Sequence, residues 1–105
     1  MNDPTFVEAA RKLAERMIRN GNSAKERIEF GFRTTTARNP NAQEIGVLMK
    51  SLSRYRRRFV TKPSLSEELL AVGDSKKGDD IADEELAAYT LIANILLNLD
   101  EFVTK

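Results

Sequence analysis

Side chains that could perform chemistry are few in this sequence, and their types exclude most catalytic and metal sites. The 105 residues contain no Cys and no His, which excludes thiolate nucleophiles, Ser-His-Asp triads, structural zinc and imidazole-ligated haem. Carboxylates, Lys, Tyr and hydroxyls are the groups that remain for catalysis. Among the carboxylates, neighbours such as Asp100 and Glu101 point about 100° apart on a helix and cannot flank one bond. We therefore expect no cofactor and no catalytic activity of the chain's own. Asp100 or Glu101 could still contribute to a site that another domain completes.

An acidic stretch near the C-terminal half has weak likenesses to ligand-binding loops. Residues 73–78 have the outer spacing of a phosphate loop, but Asp79 and Asp80 stand where Lys and Ser or Thr are required. The acids from Asp74 to Glu84 could offer oxygen ligands to calcium, yet they lack the spacing of an EF-hand. We interpret them as the acidic start of a helix, where the macrodipole favours negative charge.

A basic stretch is the second candidate for chemistry. The basic residues of positions 45–66 are Lys50, Arg54, Arg56, Arg57, Arg58 and Lys62, and this stretch has no acidic residue. Lys50, Arg54, Arg57 and Arg58 fall on one side of a predicted helix, a pattern that a phosphate-binding surface could have. We favour a solvated face, or pairing with the acidic C-terminal half, over nucleic acid as a partner.

Helix start and stop signals divide the chain into five segments. The first helix begins at Asp3-Pro4 and ends at Asn20-Gly21, and the second begins at Ser23 and stops before Asn39-Pro40. The third runs from the cap at Asn41 to Thr61-Lys62-Pro63, with Ile45, Leu48, Leu52, Tyr55 and Phe59 forming its apolar seam. A two-turn helix capped by Ser64 or Ser66 follows and closes at Gly73.

The last helix, from Asp83 onward, is apolar on nearly every face, so it should be buried at the centre. No stretch alternates like a strand. The sequence therefore predicts an all-α fold, a compact bundle of four to five helices around a central apolar C-terminal helix. We expect Asn94 and Asn98 to pair within the chain. The apolar run 91–99 is too short for a membrane span, which needs about 20 residues.

Four blocks of sequence together resemble one known family. They are residues 2–11 (NDPTFVEAAR), 38–45 (RNPNAQEI), 70–73 (LAVG) and 96–103 (LLNLDEFV). They resemble the planctomycete-specific domain of unknown function at the C-terminal end of large proteins that often carry a cytochrome-c-like module. This family often has apolar residues where Thr34, Thr35 and Thr36 stand, and a Trp where Tyr89 stands.

The resemblance implies that residues 1–105 form a single helical domain at the C-terminal end of a longer protein, with Met1 as an expression start. It also implies a parent protein exported to the periplasm or cell envelope. The haem-attachment motif Cys-x-x-Cys-His is absent, so no haem function transfers. The family has no established activity to transfer either.

Taken together, the sequence indicates a structural or interaction module whose partner is the rest of the parent polypeptide, with a homo-oligomer left open. The alternative is a small nucleic-acid-binding domain that uses the basic face of the third helix. Phe30 lies off the face that contains Ile28 and Phe32, so we expect it to be exposed and to take part in contacts. Asn98 and the two acids after it, Asp100 and Glu101, are further candidates.

Overall fold

Five helices make up the described part of the protein. A computed structural model describes residues 4–71 and 80–103, with side chains for residues 7–71 and 80–99. The helices are α1 (Pro4–Arg19), α2 (Ala24–Thr36), α3 (Ala42–Thr61), α4 (Ser64–Leu70) and α5 (Asp83–Val103), and these residues contain no strand. The radius of gyration is 12.9 Å, as expected for a compact chain of this length. The predicted all-α bundle is confirmed.

The two ends of α2 show how local side chains set a helix boundary. The Ser23 hydroxyl accepts a hydrogen bond from the Glu26 N–H at 3.2 Å, as predicted. The Glu26 carboxylate, however, accepts from the N–H of Asn22 at 2.8 Å. At the other end, Thr34, Thr35 and Thr36 donate to carbonyls four residues earlier. These bonds let a β-branched run stay helical until Ala37, whose left-handed backbone (φ 61°) ends α2.

Helix α3 starts at a complete capping box and carries the predicted seam. Asn41 Oδ1 accepts from the Glu44 N–H at 2.8 Å, and Glu44 Oε1 accepts from the Asn41 N–H at 2.9 Å. Together these bonds satisfy two N–H groups that a helix start otherwise leaves unpaired. Along the seam Leu48, Leu52 and Phe59 are buried, and the remaining members, Ile45 and Tyr55, pack half-buried against the core.

The start of α4 differs from the prediction. Pro63, not a serine, occupies the N-cap position and makes no side-chain cap. Ser66 is fully buried, and its hydroxyl donates back to the Pro63 carbonyl at 2.6 Å. A proline with a fixed φ starts this short helix without a cap. The predicted cap at Asp3 and stop at Gly73 lie outside the described residues.

Helix α5 is the centre of the bundle, as its composition predicted. It packs against each of the other four helices. Its buried residues are Leu86, Ala87, Ala88, Tyr89, Thr90, Ile92, Ala93 and Leu96. Among the described residues, no helix combines the length and apolar character that crossing a bilayer requires.

Candidate functional site

An apolar groove lies where α2, α3 and α5 meet. Its volume is about 340 Å³, and its lining comprises Phe32, Gln43, Glu44, Val47, Leu48, Ile95 and Leu99. Two of these side chains are unusually exposed for large hydrophobics, Val47 at 58% and Leu99 at 37%. Val60, the other large exposed hydrophobic side chain of the described residues, is 69% exposed and lies outside the groove. The groove brings two exposed aliphatic side chains together, which makes it a candidate contact site.

The N-terminal end of α3 holds one rim of this groove in place. Arg38 donates two hydrogen bonds to the Glu44 carboxylate, at 3.0 and 2.7 Å. The same guanidinium lies 4.8 Å from the centroid of the Phe32 ring. The hydrogen bonds from Arg38, followed by that from the Asn41 N–H, lower the pKa of the Glu44 carboxyl from 4.5 to about 2. The rim is therefore charged and ordered, whereas the floor is apolar.

The basic side of α3 continues from the groove. Lys50, Arg54, Arg57 and Arg58 are all exposed, on the side opposite the seam. Within the part of the chain that the structure describes, none of the four makes an ion pair. Lys50 and Arg54 follow Val47 by three and seven positions on α3 and so share its side of the helix. This places positive charge beside the apolar groove. The predicted solvated face is thus observed.

Pairing between the basic stretch and the acidic half does occur, but through Arg56. Its Nε donates to both carboxylate oxygens of Glu85 at 3.1 Å, and its Nη2 donates to Glu85 and, at 3.3 Å, to the Tyr89 hydroxyl. Arg27 approaches Glu85 at 3.9 Å. Both guanidiniums lie near the Tyr89 ring, 5.6 and 5.5 Å from its centroid. The hydrogen bond to Glu85 is the main cause that raises the pKa of Arg56.

This cluster joins α2, α3 and α5, and its role is structural. In the sequence, Arg56 is one of several basic residues, and Glu85 stands directly after Asp83 and Glu84 at the start of a helix. The available signal was Tyr89 within the apolar part of that helix, because a buried Tyr hydroxyl generally requires a polar partner.

The predicted contact residue Phe30 is not exposed. Its ring packs partly buried against the core, and the Arg16 guanidinium lies 5.6 Å from its centroid. The expectation of an exposed aromatic is therefore wrong, because a neighbouring helix covers the side of α2 that the sequence left without a partner. A contact role for Phe30 stays a prediction.

The polar candidates of α5 separate in the structure. Asn94 Oδ1 is buried and has no hydrogen-bond partner among the residues that the structure describes, so the expected internal pairing is not found there for this atom. Asn98 is exposed and does have a partner. Asp100 and Glu101 lie in the last turns of α5, but their side chains are outside the described part, so their predicted role stays a prediction.

The ligand-loop interpretations have little support in the described residues. The phosphate-loop-like stretch 73–78 lies outside them, as do Asp74 and Asp79. Asp80 binds Arg19 through two hydrogen bonds of 2.9 and 3.1 Å. No group of three or more His, Cys, Asp or Glu residues placed to hold a metal occurs in residues 4–71 and 80–103.

Two residues that matter to the groove were missed at the level of sequence. Val47 was absent from the predicted contact set, and Leu99 was treated only as part of an apolar helix. The signal for Val47 was its position, because it lies off the seam among the charged residues of α3. A single exposed valine is common on helix surfaces, so it gained significance only when the structure placed Leu99 beside the same groove.

One family of unknown function matches the N-terminal part of the chain. Residues 1–52 match the family described as "PSD1: Protein of unknown function (DUF1553)". The match supports a domain of unknown function. No curated protein and no solved structure was found to be similar to the chain.

Proposed function

We propose that this chain is a helical interaction module, without catalytic activity of its own, within a larger exported protein. The observation that carries the proposal is the apolar groove between α3 and α5, with Val47 and Leu99 exposed beside a compact core. A self-sufficient surface does not gain from exposing two large aliphatic side chains around one groove. The family resemblance is what favours a longer parent in the periplasm or cell envelope.

The occupant of the groove is a segment of the parent polypeptide that has apolar side chains next to acidic ones. The groove floor requires the apolar part. Lys50 and Arg54, exposed and without ion pairs among the described residues, favour the acidic part. Charge complementarity of this kind guides register and speeds association more than it adds affinity.

The test compares the same substitution at two exposed valines of α3, one inside the groove and one outside it. Val47→Glu places a carboxylate in the groove, whereas Val60→Glu makes the same change at a 69% exposed position outside it. The binding partner is the polypeptide encoded upstream in the same reading frame, produced as a separate chain. Titration calorimetry should show about tenfold weaker binding for Val47→Glu, since burying the 58% of Val47 that is exposed is worth ~1 kcal/mol or more and the new carboxylate would lose hydration in the groove. Val60→Glu should bind like the unmodified chain.

Three outcomes would contradict the proposal. The first is equal affinity of both variants for the upstream polypeptide. The second is a reading frame with no coding sequence upstream. The third is self-association of the chain that Val47→Glu abolishes, measured by light scattering, because the groove would then bind a second copy. Fractionation of the native cells tests whether the parent protein is exported. Finding the parent protein only in the cytoplasm would contradict the proposed export.

The basic face of α3 supports a second candidate function, nucleic-acid binding. The supporting observation is that Lys50, Arg54, Arg57 and Arg58 are exposed without ion pairs to described residues. Four phosphate contacts predict an affinity about 100-fold lower in 200 mM than in 50 mM salt. Fluorescence anisotropy with a labelled duplex measures this ratio. Absence of binding at 50 mM salt excludes this candidate without affecting the groove.

A further inference from the structure

Arg11 is a buried charged side chain that has no counter-ion among the described residues. It lies on α1 and is 3% exposed. Its Nη1 donates to the carbonyl of Leu70, at the end of α4, at 2.9 Å. Its Nε and Nη2 are inaccessible to solvent and have no hydrogen-bond partner in the part of the chain that the structure describes. Both nitrogens carry N–H donors, so these donors are left without an acceptor there.

No acid of the described chain neutralises Arg11. Glu8 and Glu15 lie one turn before and one turn after it on α1, at spacings from which acids often reach an arginine. Glu8 pairs instead with Lys12 at 3.4 Å, and Glu15 makes no ion pair with Arg11. A buried charge is normally retained only when a partner of opposite charge binds it.

The unsatisfied atoms define a binding geometry. Nε and Nη2 lie on the same side of a guanidinium and together match the two oxygens of a carboxylate or phosphate. The same protein shows this edge in use, because Nε and Nη2 of Arg56 bind the carboxylate of Glu85. Arg11 presents the same edge without the anion.

We propose that the Nε–Nη2 edge of Arg11 is a binding site for an oxyanion, a carboxylate or a phosphate group, between α1 and the end of α4. Helix α4 is only seven residues long and packs against α3 and α5. Because Nε and Nη2 are enclosed, an anion reaches them only when the end of α4, where Leu70 holds Nη1, moves aside. This site is separate from the groove at Val47 and does not depend on its function.

The experiment follows the Arg11 Nε–H signal directly by NMR of the ¹⁵N-labelled chain in buffer free of oxyanions. Sodium phosphate and sodium acetate are titrated in separate arms, with sodium chloride at equal ionic strength as the control. The Arg11 signal should shift and saturate with an oxyanion, while the Arg56 signal, already bound by Glu85, stays unchanged. At ten times the dissociation constant the melting temperature should rise by about 5–10 °C.

A third arm separates the two sources of the anion. Addition of the upstream polypeptide should saturate the Arg11 signal, and abolish the response to phosphate, if a carboxylate of that polypeptide is the ligand. If phosphate or acetate saturates the signal and the polypeptide does not, the site binds a free oxyanion. Either result supports the proposal.

Paired variants identify the signal and test the geometry. Arg11→Lys keeps the charge but loses the two-point edge, so anion binding should weaken at least tenfold. Arg16→Lys, an exposed position on the same helix, should bind like the unmodified chain. The proposal is overturned if the Arg11 signal of the unmodified chain responds to none of the three additions, or if chloride shifts it as much as phosphate does. That measurement holds even if Arg11→Lys does not fold.

Discussion

Gly31 is a position where α2 lies close to side chains of α1 and α5, and adding one methyl group there tests the packing of the core. An ideal Cβ at Gly31 would lie 2.7 Å from Met17 Sδ and 2.9 Å from Leu96 Cδ1. Met17 and Leu96 are both fully buried and have little room to move. Alanine in a helix interior gains about 0.5–1 kcal/mol over glycine, but overpacking costs about 1–3 kcal/mol. Gly31→Ala should therefore lower the free energy of unfolding by about 0.5–2 kcal/mol.

Gly46 provides the matched control, because it lies within α3 and a Cβ there meets no atom within 4 Å. Gly46→Ala should raise the free energy of unfolding by about 0.5–1 kcal/mol through helix propensity alone. Urea unfolding followed by circular dichroism measures both variants, with equal m-values as the check on two-state behaviour. If Gly31→Ala is as stabilising as Gly46→Ala, the close packing of α2 on Met17 and Leu96 is wrong.

Three further predictions concern polar contacts. Glu85→Gln removes the charge that holds Arg56 and should lower the free energy of unfolding by about 1–2 kcal/mol, less than for a fully buried pair because both side chains are about a third exposed. Tyr89→Phe should lower the free energy of unfolding by a smaller amount. If urea unfolding gives the reverse order, the described network is contradicted. Asn41→Ala should lower the free energy of unfolding by about 1 kcal/mol, because α3 loses its N-cap. An unchanged midpoint of urea unfolding would argue against this contribution of the cap. Folding lowers the pKa of Glu44 from 4.5 to about 2. The ionised carboxylate therefore contributes its full stabilisation of the fold above pH 5, and this contribution declines as the pH falls towards 2. Glu44→Gln should flatten that part of the pH–stability curve, and a curve identical to that of the unmodified chain would refute this role of Glu44.

The helices could be predicted because their signals are local. The cap at Asn41, the seam through Leu52 and the apolar surface of α5 are each contained within one segment, and all three are confirmed. The end of α2 could be placed only approximately, because the outcome depended on hydroxyl bonds that the threonines make to the backbone. At α4 the serine cap was wrong, because Ser66 turned inward to be buried.

The candidate site was mostly beyond prediction because it depends on how separate helices meet. The groove requires Val47 of α3 and Leu99 of α5 to line one space, although they are far apart in sequence. The burial of Arg11 likewise depends on where the end of α4 lies, through its bond to the Leu70 carbonyl. Phe30 was expected to be exposed for the same reason. Helix periodicity describes one helix at a time and cannot indicate that Arg16 of another helix covers the Phe30 ring.

The central position of α5 has a consequence for biosynthesis. Because α5 is the last helix in chain order and the one that all the others contact, the four earlier helices leave the ribosome before their common packing surface exists. Their apolar faces, including Met17, Phe32 and Leu52, lack the surface of α5 until that helix has itself left the ribosome. A chain that ends before α5 therefore exposes apolar surface that favours aggregation.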